Sequence, residues 1–231
     1  MKLLTTANYK TVKGEKLGYL TGILYLAPAK ISGYEVCPRR SKGCTEACLY
    51  TAGMGAFSTV QQARIKKTKQ FFEDRDNFLM QLRKDITALV RKAKKTNMTP
   101  AIRLNGTSDI EWTRFGIMEE FPEVQFYDYT KVLSRIEHPE QDRPANYHIT
   151  FSRNESNDDE CEKALRLGFN VAAVFSTKKG EMFPKSWKEY FVYDGDETDL
   201  RFEDPKGGFI IGLRAKGKAK KDLSNFVIKV A

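Results

Sequence analysis

Three cysteines stand within twelve residues: Cys37, Cys44 and Cys48, in the run Cys37-Pro38-Arg39-Arg40-Ser41-Lys42-Gly43-Cys44-Thr45-Glu46-Ala47-Cys48. Thiolates are soft ligands, and three on one loop suit a metal centre that keeps a vacant position. Three thiolates can hold a four-iron, four-sulfur (4Fe-4S) cluster with one iron left open. Zinc is the alternative, but it would need a fourth ligand from Cys161 or a histidine. Cys161 falls in a helical run, where a buried apolar role is expected. His138 and His148 lack the spacing of a metal pair and read as ordinary residues.

Other chemistry-bearing residues recur where apolar runs end. Asn105, Ser108 and Asp109 follow Ala101–Leu104, and Asp128 and Lys131 close the run from Val124. Ser152 ends Tyr147–Phe151, Asp194 and Asp196 follow Tyr190–Tyr193, and Arg214 follows Phe209–Leu213. Asp109, Asp128, Lys131 and Asp194 are the acid, base and ion-pair candidates. Asn105, Ser108 and Ser152 offer hydrogen bonds to the ribose or amino group of a nucleoside ligand. Ser108 or Asp109 would equally serve as a helix N-cap. The run Asp194–Asp199 would equally be an exposed turn, since it lacks the spacing of a calcium loop. Arg214, Lys216, Lys218, Lys220 and Lys221 form a basic tail that reads as a phosphate-contacting arm or as a solvated loop before a last strand at Asn225–Val230.

The elements that must position these groups alternate. Leu20–Ala27 reads as a buried strand, and the cysteine loop follows it. Ser58 and Gln61 have capping-box spacing for a helix to about Glu73. Asp76 suits the cap of a second helix with the apolar stripe Phe78, Leu82, Ile86, Leu89, Val90 and Ala93. Further short strands alternate with helices at Phe115–Phe121 and Asp158–Gly168, the latter closed by a C-cap glycine. Strands separated by helices call for a parallel sheet covered by helices. Six or seven such units predict an α/β fold of incomplete (β/α)6-7 barrel type, because 231 residues are few for a closed eightfold barrel. All strand ends, and the cysteine loop, then share one face. Tyr50 and Phe57 stand where they would shield it from water.

The chain reads as a single domain over residues 1–231 with a basic C-terminal segment at 214–231. An aromatic share of 12% argues against disorder. Lys plus Arg number 39 against 30 Asp plus Glu, a formal +9 that points toward nucleic acid or a phosphorylated ligand as well as toward solubility. No run is long and apolar enough to cross a bilayer, and Met1–Thr6 has no secretory character, so a cytoplasmic location is expected. In that compartment clustered cysteines bind metal more often than they pair.

The cysteine run resembles that of phage-encoded three-cysteine-motif proteins, which are similar to radical S-adenosylmethionine enzymes. Leu104–Ile110, Val124–Lys131 with its ending Tyr129-Thr130-Lys131, and Asn146–Ser152 resemble later blocks of that family, in order. The gap between Cys44 and Cys48 is one residue longer than in its pattern. The resemblance implies a 4Fe-4S cluster on Cys37, Cys44 and Cys48, S-adenosylmethionine as cofactor, and a nucleic acid or nucleotide as substrate. Two other functions fit the residues. One is a barrel-fold enzyme similar to DNA deazaguanine transglycosylases, with structural zinc and strand-end carboxylates as nucleophiles. The other is a zinc-braced module that only binds nucleic acid.

Overall fold

A computed structural model describes residues 1–6, 13–137 and 143–230. His138 lies outside the described residues. The strands are β1 (Leu4–Thr5), β2 (Tyr19–Leu24), β3 (Thr99–Arg103), β4 (Gln125–Thr130), β5 (Tyr147–Ser152), β6 (Val171–Phe175), β7 (Ser186–Trp187), β8 (Tyr190–Asp194), β9 (Ile210–Arg214) and β10 (Val227–Ile228). The helices are α1 (Lys42–Glu46), α2 (Ser58–Glu73), α3 (Arg75–Lys95), α4 (Ile117–Glu120), α5 (Ser134–Glu137) and α6 (Asp158–Arg166).

The strands form one mixed α/β sheet in the order β1-β2-β3-β4-β5-β6-β9-β8-β7, with β10 added beside the end of β6. Neighbours from β2 through β6 to β9 and β8 pair parallel. The edge strands β1 and β7 pair antiparallel. The path ends at those two edges, so the sheet is open and not a closed barrel. The sequence order also breaks at the far side. β9 inserts between β6 and β8, and the connections around β8 carry no α-helix.

Strand alternation assigns the two faces. Leu20, Ile102, Phe126, Ile149 and Ala173 face the helices and join the main core. The stripe Phe78, Leu82, Ile86, Leu89 and Ala93 of α3 is buried there as its spacing predicts. Gly22 lets α3 close in, since a Cβ on it would stand 3.2 Å from a methyl of Leu89. On the other face lie Tyr19, Ala101 and Tyr127, covered by Leu200 and Phe202 from a 3-10 turn at Arg201–Glu203. The Phe202 ring meets Tyr19 and Tyr127 edge-on at 5.0 and 5.4 Å.

Local details differ from the sequence reading. β2 stops at Leu24 rather than Ala27. The Ser58–Gln61 capping box is not formed; Gln61 reaches back to the Gly55 carbonyl at 3.0 Å instead. α3 starts at Arg75 behind Asp74, which leaves Asp76 in the first turn, where its charge still suits the helix dipole. Gly168 takes φ +84° after α6, as a C-cap glycine should. The last strand is only Val227–Ile228.

Candidate functional site

The C-terminal ends of the parallel strands border a cavity of about 430 Å³. Arg103 and Asn105 from β3, Tyr129 and Lys131 from β4, Ser152 from β5, Val174 from β6 and Leu213 from β9 all line it. Cys37, Cys44 and Cys48 line the same cavity. A wider depression of about 690 Å³ runs along α3, but every lining residue comes from that one helix and no groups converge from elsewhere.

The cysteine loop is built by short-range contacts. Pro38 sits in a turn closed by the Arg40 N–H on the Cys37 carbonyl at 3.1 Å. Glu35 accepts the Cys37 N–H at 2.9 Å and pairs with Arg40 at 3.0 Å. Ser41 caps α1, accepting from the Cys44 N–H at 3.1 Å. Glu155, from beyond β5, then clamps the loop, accepting the Ser41 hydroxyl and the Gly43 N–H at 2.7 Å each. Gly43 leaves room for its neighbours rather than supplying an unusual backbone angle: a Cβ there would meet the Glu155 carboxylate at 2.8 Å and also strike Ser224, so both side chains would have to shift. Cys44 and Cys48 thus stand four residues apart across the end of α1.

Burial pushes the Cys37 thiol up to about 12, partly offset by the Ala29 backbone and reinforced by Cys48, Cys44 and Asp109. Burial also raises Cys48, with Cys44 adding to the shift and Lys131 and Arg64 opposing it. Burial is thus the main reason that the Cys37 and Cys48 thiols favour the neutral form, and the neighbouring cysteines add to it. Among the described residues no three His, Cys, Asp or Glu side chains converge on one ion. A four-iron cluster takes each thiolate on a separate iron, and thiols are the donor type it uses. Cys161, on α6, is fully buried in the main core and does not line the cavity. His148 lies on β5 with its pKa lowered to about 4 by burial, helped by Arg143, Lys206 and Arg201. Tyr50 is buried beside the loop, whereas Phe57 is 57% exposed and shields nothing.

The strand-end candidates divide. Asp109 lines the cavity, but both its oxygens are occupied, one by Arg135 at 2.6 Å and one by the Lys131 N–H at 2.9 Å. The Asn105 side chain organises its own loop: its oxygen accepts from Ser108, the Ile110 N–H and the Trp112 indole at 2.8, 2.9 and 3.1 Å. The Ser108 hydroxyl is spent on that contact. Asp128 does not line the cavity. It shares the helix face with Phe126 and receives the Asn105 N–H at 2.6 Å and the Tyr147 hydroxyl at 3.1 Å. Asp194 holds Arg214 through both oxygens at 3.0 and 2.9 Å and likewise stands outside the lining. Lys131 donates to Ser152 at 2.8 Å, and among the described residues no carboxylate pairs with it.

The acidic run serves as counter-charge. Asp196 accepts Lys216 at 2.6 Å and the Arg214 N–H at 2.9 Å, and its carbonyl accepts Lys13 at 2.6 Å. Burial works against the Asp196 carboxylate, yet Lys216 and Arg214 hold its pKa below the usual range. Arg214 is fully engaged, giving Nε to the Lys178 carbonyl at 3.1 Å and Nη2 to the Glu181 carbonyl at 2.8 Å. It stands as a brace in the fold. Lys218, Lys220 and Lys221 are exposed on a 3-10 turn, Gly217–Lys221, whose buried Ala219 packs with Ala47 and Val227. The tail is thereby docked on the cysteine loop. Sequence reasoning passed over Arg103, the cavity's stacked cation, 4.4 Å from the Tyr129 ring centre and 3.4 Å from Asp199. A charge inside the apolar run Ala101–Leu104 was the available signal.

A family model described as Gene product 88 matches residues 2–229. The chain belongs to the Gene product 88 family. That description is consistent with the phage-type setting and names no reaction. No curated protein and no solved structure matches the chain. The cavity of this Gene product 88 protein is therefore read from its own residues. Among the described residues no helix is long and apolar enough to cross a membrane.

Proposed function

We propose that the chain is an iron–sulfur enzyme similar to radical S-adenosylmethionine enzymes, acting on a nucleic acid or nucleotide. The single observation that carries this reading is the meeting of Cys37, Cys44 and Cys48 with Lys131, Arg103 and Ser152 in one strand-end cavity. The near-sequential parallel order from β2 to β6 supports reading the open sheet as a partial (β/α) barrel, a type of fold whose chemistry gathers at that edge.

Cys37, Cys44 and Cys48 would hold the cluster. Such a cluster supplies an open iron for the amino and carboxylate groups of S-adenosylmethionine and a one-electron reductant. The chain's own residues do the rest. Lys131 and Arg103 attract an anionic group into the cavity. Asp109, Asn105 and Asp128 hold the β3 and β4 ends in place. Val174 and Leu213 give the cavity apolar walls. The cavity volume falls within the range of small-molecule sites.

The test is anaerobic purification, or reconstitution with iron and sulfide, followed by metal and sulfide analysis. The reading expects a brown protein with charge-transfer absorbance that disappears when Cys37, Cys44 and Cys48 are all replaced by Ala. A colourless preparation that retains zinc and takes up no iron overturns it.

A further inference from the structure

The surface beside the cavity mouth carries cations that the fold does not use. Lys218, Lys220 and Lys221 project from the Gly217–Lys221 turn, and among the described residues none has a carboxylate partner. The neighbouring acid does not neutralise them. Asp222 is turned inward, accepting the Val227 N–H at 3.0 Å and the Ser224 hydroxyl at 2.6 Å. The turn is held rigidly: Gly217 lies against Ala52, so that a Cβ on it would come within 3.0 Å of the Ala52 Cβ, and Ala219 is buried. Lysines without a carboxylate partner among the described residues, on an anchored turn, form a fixed patch of charge, unlike a floppy tail.

Two apolar side chains accompany that patch. Leu223 is 93% exposed just beyond it, and Leu49 is 42% exposed while also lining the cavity. Ala219 lies between the two regions, because it belongs to the lysine turn and to the cavity wall. The turn that carries the lysines therefore borders the cavity. Inside, Phe226 offers a ring, Tyr129 offers a second with Arg103 over one face, and Lys131 offers a cation.

We infer that this ridge binds a single-stranded nucleic acid, with its backbone along Lys218, Lys220 and Lys221 and one unstacked nucleotide inserted past Leu49 into the cavity. Separate phosphates need spaced cations, and an unstacked base needs an apolar slot with aromatic walls; the two features meet here. A stiff duplex presents no free base to such a slot, so the surface favours a single strand. The inference rests on the proposed function only in taking nucleic acid as the substrate, and the iron content of the same preparations reports on the cluster separately.

The experiment measures binding of a short oligothymidylate carrying one fluorescent adenine analogue, of the matching duplex, and of phosphatidylserine vesicles. The single strand should bind at least tenfold more tightly than the duplex and should brighten as the analogue unstacks. K218A/K220A/K221A should weaken binding tenfold or more and reduce the salt slope by about 2, at about 0.7 for each lost phosphate contact. Leu49→Asp, at an exposed position, should abolish the brightening. Equal affinity for duplex, binding unchanged by the triple variant, or vesicles bound as tightly as the single strand would overturn the inference. Iron uptake that persists in the lysine variant, alongside lost strand binding, separates this surface from the cluster.

Discussion

The backbone N–H of Asn105 donates to Oδ1 of Asp128 across 2.6 Å, tying the end of β3 to the end of β4. Oδ2 receives the Tyr147 hydroxyl, so the carboxylate links three adjacent strands from the helix side of the sheet. Burial raises its pKa from 3.8 to about 7, against the opposing pull of the Asn105 N–H, Arg103 and the Tyr147 hydroxyl. The fold thus prefers the protonated carboxyl. Its contribution to stability is complete below 3.8 and is lost as pH rises through about 7. A shift of this size corresponds to roughly 4 kcal/mol. Asp128→Asn keeps an acceptor for Asn105 and cannot ionise. Urea unfolding from pH 4 to pH 8 should show wild type losing stability relative to the variant. Parallel curves would show that Asp128 ionises as freely in the folded chain as in the unfolded one.

Asp109 tests whether a strand-end carboxylate acts on substrate or on the fold. It and Arg135 are both about nine-tenths buried, with 2.6 Å between them. Asp109→Asn leaves the Arg135 charge without its partner, and stability should fall by roughly 3 kcal/mol. Adding Arg135→Met should restore much of that loss, as a double-mutant cycle would report. A single variant with undiminished stability and no activity would instead make Asp109 a catalytic residue.

Gly43 tests the clamp on the cysteine loop. Gly43→Ala drives a methyl against Glu155 and Ser224, a misfit of roughly 1–3 kcal/mol. Because α1 lies outside the sheet, the strain should be released by opening the loop. Iron uptake should fall sharply while far-ultraviolet circular dichroism keeps the spectrum of the folded sheet. Uptake equal to wild type would show that the loop tolerates displacement from Glu155.

The legibility of these parts in the sequence follows from how far each depends on neighbours. The cysteine trio, the strand ends and the α3 stripe are local patterns, and the parallel strands follow from the alternation of strands with helices. Which way a strand-end residue points does not follow. Phe126-Tyr127-Asp128-Tyr129 is apolar on both faces, so no alternation reveals that Asp128 shares a side with Phe126 while Tyr129 faces the cavity. The insertion of β9 between β6 and β8 is likewise a long-range pairing that no local pattern encodes. The basic tail was visible as charge, but only its contacts separate Arg214 and Lys216, spent on Asp194 and Asp196, from Lys218, Lys220 and Lys221, which have no carboxylate partner among the described residues.

Lys131 is a lining cation that has no carboxylate partner among the described residues. Its ammonium donates to the Ser152 hydroxyl at 2.8 Å, while its backbone N–H is fixed by Asp109. The side chain is thus aimed but not neutralised, an arrangement suited to a visiting anion. Lys131→Met keeps much of the side-chain volume and leaves the Asp109 contact, which is to the backbone, in place. Thermal stability should change little, by about 0.5 kcal/mol or less. Affinity for a nucleoside monophosphate or a short oligonucleotide should fall roughly tenfold, the worth of about one charge-assisted hydrogen bond. Lys131→Arg should recover part of it, since charge is restored with altered geometry. Calorimetric titration of the three proteins decides the matter. Equal affinities across the set would place the anion elsewhere in the cavity, with Arg103 the next cation to replace.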